Sequence, residues 1–227
     1  MQKIKIKITT KSPVLVGSGK SFGSIIDSDI VFDEVGLPFI PSKRIKGLLR
    51  DSAIEVLDMF NACTLINKID LTKKNEDYNL VEKVFGKPGN VEMPCVNIDN
   101  FYIEEYNIIK KELSTILKSK YNKIFNSNDI LAGFTEIRRH TAIDPNSSIA
   151  KEHSLRTVRV IRKEIRFESL ISVNCFDSEA IPLIILACKN LRKMGTKRNR
   201  GFGKIECVVE NINEIKQFWG LDEIIKL

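Results

Sequence analysis

Residues 178–210 read SEAIPLIILACKNLRKMGTKRNRGFGKIECVVE and carry the clearest structural pattern in the chain. The first part, 178–194, is dominated by apolar side chains and predicts a buried helix. Glycines alternate with basic residues over 195–203, which predicts a loop. Residues 204–210 predict a strand. We therefore expect a helix and a strand that are joined by a basic glycine loop.

A second clear pattern lies at the start of the chain. Residues 2–10 alternate lysine with isoleucine, and a period of two predicts a half-buried strand. Strand-like stretches follow at 25–32, 96–102 and 165–176, and an apolar stripe at helical spacing predicts a helix over 42–60. This order resembles a split βαβ arrangement, so we expect an α+β, ferredoxin-like core, similar to an RNA-recognition motif.

The core strands come from both ends of the chain, which predicts a single domain over 1–227. Residues 61–134 are polar or helical by pattern and are expected to form a lid-like helical insertion. Two strand-like arms, 135–143 and 155–161, flank a polar turn and predict a basic β-hairpin. We expect this hairpin, 135–164, to project from the body like a thumb.

Composition excludes several classes of protein. The chain has 227 residues, of which 43% are hydrophobic, so it can build a core and is not a disordered segment. Its longest apolar stretch, 180–188, contains a proline and is too short to cross a bilayer. The first residues lack the apolar run of a signal peptide. The cysteines are scattered without a C-x-x-C pair, so we expect reduced thiols in a cytoplasmic protein.

Charge is segregated along the chain. The net charge is +7, but residues 189–204 carry seven basic groups and no acidic one. Residues 43–50 carry four basic groups and no acidic one, and residues 138–166 carry eight against three. Charge runs of this kind are often solvated faces, but three of them in one chain favour a surface that binds a polyanion.

Two of these basic windows have the chemistry of phosphate sites. In the glycine loop, glycine lets the backbone approach a ligand, backbone N–H groups can cradle phosphate oxygens, and Arg198 and Arg200 add bidentate donors. At the start of the predicted helix, basic side chains surround a helix N-terminus, which attracts anions. For each, an ordinary turn or a capped surface helix remains the structural alternative.

Together the motifs resemble a known family. The stretch GLPFIPSKRIKGLLR at 36–50 is similar to the first-helix signature of the RAMP superfamily of CRISPR-associated proteins. The late G-x-x-R-x-R-G-x-G pattern at 195–203 resembles that superfamily's glycine-rich loop. Phe85-Gly86 with Pro88-Gly89, and then the basic stretch 138–156, fall between them in the expected order. The resemblance spans nearly the whole chain and implies a RAMP core.

Within the superfamily, the chain looks most like the backbone subunit of type III (Csm/Cmr) effector complexes. The resemblance implies a subunit that binds guide RNA and the complementary target RNA. It also implies packing against other RAMP subunits and copies of itself in a filament. The match for a target-cutting residue falls on Asp27, which would act with a divalent metal, Mg²⁺. Asp29 and Asp33 would share a face with Asp27 at strand spacing and add to a loose metal site.

The residues expected to contact RNA are the basic side chains and glycines of these motifs. They are Lys43, Arg44, Lys46, Arg50, Arg138, Arg139, Arg156, Arg159, Gly195, Lys197, Arg198, Arg200, Gly201 and Gly203. Phe22 and Phe202 lie in glycine-containing loops and are candidates for stacking on bases.

Whether the chain is an enzyme stays open, because two alternatives compete with target cleavage. The Lys43-Arg44 pair resembles non-catalytic RAMP subunits that cap the guide RNA handle or the end of the filament. A second alternative is a metal-independent endonuclease that processes the guide precursor. In that case His140 or His153 would act as general acid or base.

Overall fold

The computed structural model describes residues 2–19, 25–62, 74–87, 89, 93–119, 124–144, 149–174 and 180–210. The strands are β1 (Gln2–Thr10), β2 (Phe39–Ile40), β3 (Val96–Ile98), β4 (Phe101–Ile103), β5 (Thr135–His140), β6 (Arg156–Ile161), β7 (Arg166–Val173) and β8 (Ile205–Val209). The helices are α1 (Ser42–Ala62), α2 (Lys74–Phe85), α3 (Tyr106–Lys118), α4 (Ser127–Phe134) and α5 (Ala180–Asn190). None of these helices is long and apolar enough to cross a membrane.

One antiparallel sheet organises the described residues. Its strands follow the order β2-β4-β7-β1-β8, and β3 also pairs with β7. Strand β1 therefore lies between β7 and β8, which come from the far end of the sequence. This order, with α1 and α5 packed against each other, confirms the predicted α+β, ferredoxin-like core.

The alternation of lysine and isoleucine along β1 places the two residue types on opposite faces of the sheet, as predicted. Ile4, Ile6 and Ile8 are fully buried, and the lysines between them lie on the opposite face of the sheet. There Lys5 Nζ lies 2.8 Å from a Glu168 carboxylate oxygen, and Lys7 Nζ lies 2.7 Å from Glu210. The sheet thus has one apolar face under the helices and one face of paired charges.

The buried face of α1 explains its position. Ile45, Leu49 and Ala53 recur at helical spacing and are buried in the main core. Ser52 of the same helix donates a 2.8 Å hydrogen bond to the Ala187 carbonyl of α5, which joins the two helices. The basic side chains of the first turns therefore point away from the core.

The predicted hairpin forms, but its base belongs to the body. Strands β5 and β6 pair over their full length. Val158, Val160 and Ile161 of β6 are buried in the same core as the main sheet. Backbone hydrogen bonds join Val14 and Ile161 in both directions, at 2.9 and 2.8 Å. The base of the hairpin is therefore buried in the body, and the projection of 135–164 as a thumb stays a prediction.

Two predicted strands are changed by hydrogen bonds to distant parts of the chain. Residues 25–32 form isolated bridges rather than a strand, since Ser28 pairs with Val158 and Phe32 with Pro38. The stretch 96–102 is split into β3 and β4 at Asn100, whose side chain accepts a 2.8 Å hydrogen bond from the Ser42 amide at the start of α1.

The described part of the range 61–134 contains strands as well as helices. It supplies β3 and β4 to the sheet, as well as α2, α3 and α4. The polar break at 126–129 is a capping box, in which Asn126 and Asp129 bond to each other's backbone amides at the start of α4. The outer limits of the lid and of the thumb stay predictions.

Candidate nucleic-acid interface

The glycine loop packs tightly on the segment that follows β1. Thr196 N–H donates to the Leu15 carbonyl at 3.0 Å, and Gly203 N–H donates to the Pro13 carbonyl at 2.9 Å. Gly195 and Gly203 both have positive φ, and a Cβ on Gly203 would collide with the Met194 carbonyl oxygen. These two glycines are required because the loop closes against another part of the backbone.

The packing leaves the arginines of the loop on its outer side. The amides of Thr196 and Gly203 are bonded within the protein, so neither is free to donate to a phosphate oxygen. Arg198 and Arg200 lie on a single 3-10 turn, Arg198–Arg200, and both are exposed. The cradle of glycine N–H groups around a phosphate stays a prediction.

The first helix and the glycine loop line one groove. A cavity of about 300 Å³ is lined by Lys43, Arg44 and Gly47 of α1 and by Gly195 and Thr196 of the loop. Arg44 donates from Nη2 to the Gly17 carbonyl at 2.5 Å. We call this cavity the α1–loop groove.

A second convergence lies where the loop meets the hairpin. Asp27 accepts a 2.7 Å hydrogen bond from the Thr157 amide on Oδ2, and its Oδ1 lies 3.3 Å from Arg156 Nη1. Lys197 of the glycine loop interacts electrostatically with Asp27 and with Arg200. We call Asp27, Arg156, Lys197 and Arg200 the Asp27 cluster.

The electrostatics of this cluster follow from its composition. The Thr157 amide, followed by Arg156, lowers the pKa of the Asp27 carboxyl below its usual value, so this exposed group is ionised at neutral pH. Burial and the nearby Arg200 lower the pKa of Lys197, whereas Asp27 opposes that change. One carboxylate thus lies among several cations.

The three acidic residues near the cluster do not share a face, contrary to the expectation from strand spacing. Asp29 is buried, bonds the Ile30 amide at 2.8 Å and lies 3.2 Å from Arg159 Nη1. Asp33 accepts bonds from backbone amides of the turn at 35–37 and from the Tyr106 hydroxyl at 2.8 Å. Both carboxylates are engaged in holding the fold.

A divalent metal therefore finds few protein ligands near Asp27. Across the described ranges, no three His, Cys, Asp or Glu side chains come close enough together to hold an ion. Asp27 itself is bonded to an amide and an arginine. Since cations already surround this single carboxylate, the described residues do not fit a metal held by the protein alone.

The two histidines differ in their surroundings. The His140 ring packs edge-on against Phe202, with centroids 5.3 Å apart, and its Nε2 is buried without a hydrogen-bond partner among the described residues. Burial and then Lys197, Arg200 and Arg138 lower its pKa. His153 is exposed in a turn of the hairpin and has a positive φ.

Phe202 is 7% exposed, so its expected role in stacking on bases was wrong. The edge-on contact with His140 instead fastens the glycine loop to the hairpin. Phe22 lies outside the described residues.

The other residues that are predicted to contact RNA differ in exposure and in their partners. Arg139 is exposed on β5, and Arg138 is exposed but lies 2.7 Å from Glu136. Arg159 is largely buried beside Asp29. Lys46 and Arg50 of α1 are both partly buried, and burial lowers the pKa of Lys46.

The sequence analysis missed the groups that position the site. The backbone carbonyls of Pro13 and Leu15 seat the glycine loop, and the Thr157 amide seats Asp27. These are main-chain groups, and the residues that carry them have no distinctive pattern. Only the fold shows their part in the site.

Comparisons with known proteins agree with this architecture. A family model described as the RAMP superfamily matches residues 7–206. The structure is similar to a chain of the type III-B Cmr-beta complex bound to cognate target RNA, with a TM-score of 0.63 and 14% identity over 92% of this chain and 97% of that one. A chain of the same complex in its apo state has a TM-score of 0.62, with the same identity and the same coverage of both chains.

No curated protein matches the chain in sequence. The family match, by contrast, includes the first-helix motif, the hairpin and the glycine loop, and it covers well over half of the residues. The ferredoxin-like sheet and the groove between α1 and the loop are the setting in which those motifs lie. This chain therefore belongs to the RAMP superfamily.

Proposed function

We propose that this chain is an RNA-binding subunit of a type III CRISPR interference complex and that it holds a guide RNA through its phosphates. The observation that carries the proposal is the meeting of three basic motifs. The glycine loop and α1 line the α1–loop groove together, and the loop contacts the hairpin where the Phe202 and His140 rings pack. Lys197 of the loop also interacts electrostatically with Asp27. Phosphate contacts suit a reader of arbitrary guides because they carry no base information.

The other lysine-rich surface of the molecule is a poorer candidate. On the open face of the sheet, Lys5 pairs with Glu168, and Lys7 pairs with both Glu104 and Glu210. Each of these lysines has two carboxylate partners, so a phosphate would have to displace both and would approach a face that carries several negative charges. The proposed RNA path therefore follows α1, the glycine loop and the hairpin.

A comparison of two double variants tests this path. Arg198→Gln with Arg200→Gln removes two exposed charges of the glycine loop, and Lys5→Gln with Lys7→Gln removes two paired charges of the sheet. We expect the first pair to weaken binding of a fluorescent single-stranded RNA by at least about tenfold at 150 mM salt, and the second by less than about twofold. Equal losses would contradict the proposed path.

The assembly follows from the same proposal. One similar structure is a Cmr-beta complex bound to cognate target RNA. By analogy, this chain would pair guide with target RNA while packing against other RAMP subunits, and copies of it would lie head to tail in a filament. Native mass spectrometry with guide RNAs of increasing length checks this part, since the number of bound copies should rise with guide length.

Target cleavage is the second candidate function, and one observation favours it. Asp27 is ionised and exposed in the middle of the basic region through which RNA would pass. Since the described residues give it no further metal ligands, Mg²⁺ dependence is a separate question from the identity of the residue. The pairing of Asp27 with Arg156 favours instead the non-catalytic subunit.

Cleavage assays separate these candidates. The complex is assembled with guide RNA and a labelled complementary target, using wild type and Asp27→Ala, each with Mg²⁺ and with EDTA. Evenly spaced cuts that disappear with Asp27→Ala support the nuclease, and their disappearance in EDTA supports the metal. Guide binding without cuts in the wild type supports the non-catalytic subunit. Cleavage of precursor RNA in EDTA that depends on His140 or His153 supports the processing endonuclease.

A further inference from the structure

The Asp27 cluster already holds an anion, namely the carboxylate of Asp27 itself. Its two oxygens face different donors, since Oδ2 accepts from the Thr157 amide at 2.7 Å and Oδ1 lies 3.3 Å from Arg156. A backbone N–H and a guanidinium are the donors that bind a phosphate oxygen in many RNA-binding proteins. The carboxylate thus stands where a phosphate oxygen would be well bound.

The Asp27–Arg156 ion pair is exposed enough for the carboxylate to be displaced by another anion. The Asp27 side chain is 39% exposed and that of Arg156 is 64% exposed, so both are accessible to RNA. An ion pair this exposed contributes little to stability and is easily exchanged. By contrast, Asp29 and Arg159 beside it are 5% and 14% exposed and form a fixed pair.

We propose that the Thr157 amide and Arg156 form a phosphate subsite that Asp27 occupies in the free protein and yields to an RNA phosphodiester. This inference rests on the proposed RNA-binding function and adds that the Asp27 carboxylate competes with an RNA phosphate for the same donors. The carboxylate keeps the cluster compact and suppresses binding of other anions, and RNA must displace it. Asp27 therefore lowers RNA affinity.

The direct test replaces Asp27 by its isosteric amide. Asp27→Asn retains an oxygen that accepts from the Thr157 amide, so the local fold is kept while the charge is lost. We expect it to bind single-stranded RNA about fivefold more tightly than wild type, measured by fluorescence anisotropy in EDTA at 100 mM salt. Its plot of log affinity against log salt should be steeper by about 0.7, the value for one more phosphate contact.

A control variant removes a charge away from the subsite. Asp99→Asn changes an exposed residue of the cleft beside the sheet, outside the proposed RNA path. It lowers the negative charge by one, as Asp27→Asn does. We expect less than about twofold tighter binding. A gain with Asp99→Asn that equals the gain with Asp27→Asn would show a general charge effect and overturn the inference.

A double-mutant cycle with Arg156→Gln provides a second test. In wild type, Arg156 must leave Asp27 before it contacts RNA, so its loss costs little affinity. In the Asp27→Asn background the arginine is already free, so its loss should cost at least about threefold more than in wild type. Additive effects would overturn the subsite. If wild type itself fails to bind RNA, the proposed function fails, whereas binding that is indifferent to Asp27→Asn rejects the subsite alone.

Discussion

At the scale of single residues, the glycine loop shows how identical conformations can serve different purposes. Gly201 and Gly203 have φ values of 80° and 84°, so both adopt the left-handed conformation. At Gly203 an added Cβ meets the Met194 carbonyl, whereas at Gly201 no described atom lies within 4 Å of it. Gly203 closes the loop on the body, and Gly201 only turns the chain.

This difference predicts unequal costs for the same substitution. Gly203→Ala should lower the free energy of unfolding by about 3 kcal/mol, because backbone strain adds to a steric collision. Gly201→Ala should lower it by only about 1 kcal/mol, the cost of the strained conformation. Urea unfolding followed by circular dichroism measures both. Equal costs would mean that the loop does not close on the Met194 carbonyl.

A second prediction at this scale concerns His140. Burial, Lys197, Arg200 and Arg138 hold its pKa below the ordinary value near 6.5. The unfolded chain therefore takes up the proton first, and stability should fall as the pH drops below about 6.5. RNA phosphates beside the same cations should raise this pKa. NMR titration of the ring should show a pKa below 6.5 in the free protein and a higher one with RNA, and an unchanged pKa would place RNA elsewhere.

At the scale of elements, the hairpin depends on a buried hydroxyl. Thr10, at the end of β1, is fully buried, donates to the Arg162 carbonyl at 2.8 Å and accepts from the Ile165 amide at 2.9 Å. It therefore fixes the point where the hairpin returns to the sheet. The orientation of the basic arms relative to the glycine loop depends on this junction.

Replacing Thr10 by the isosteric valine tests the junction. Thr10→Val leaves a buried amide and carbonyl with fewer partners, which should lower the free energy of unfolding by about 2 kcal/mol. Amide exchange in β5 and β6 should become faster than in β7. A uniform increase over all three strands would show a general loss of stability rather than a loosened hairpin.

The elements also show which features the sequence could predict. The alternation in β1, the apolar stripe of α1 and the loop between α5 and β8 are local patterns, and the structure confirms them. The loss of a strand at 25–32 is not local, because it follows from bonds that Asp27 and Ser28 make to residues 157–159. The prediction that Asp27, Asp29 and Asp33 share one face was wrong for the same reason, because residues 25–32 do not form a strand.

At the scale of the whole molecule, the site depends on the topology. Strand β1 leads into residues 13–16, which contact both the glycine loop and β6. Because β1 lies between β7 and β8, three basic segments that are far apart in sequence come together beyond one end of the sheet. The three basic segments could be recognised in the sequence, but the place where they come together depends on the order of the strands in the sheet.

The measurement that tests this account most directly is ultraviolet cross-linking of the protein to a uridine-rich guide RNA, followed by peptide mass spectrometry. The account predicts cross-links to peptides of the α1–loop groove, the hairpin and the glycine loop, at 25–50, 134–160 and 195–204. Tyr102 lies on the open face of the sheet and stacks on Tyr106 at the start of α3, with centroids 4.2 Å apart, so both would react if RNA lay there. Cross-links concentrated on those two tyrosines would contradict the account.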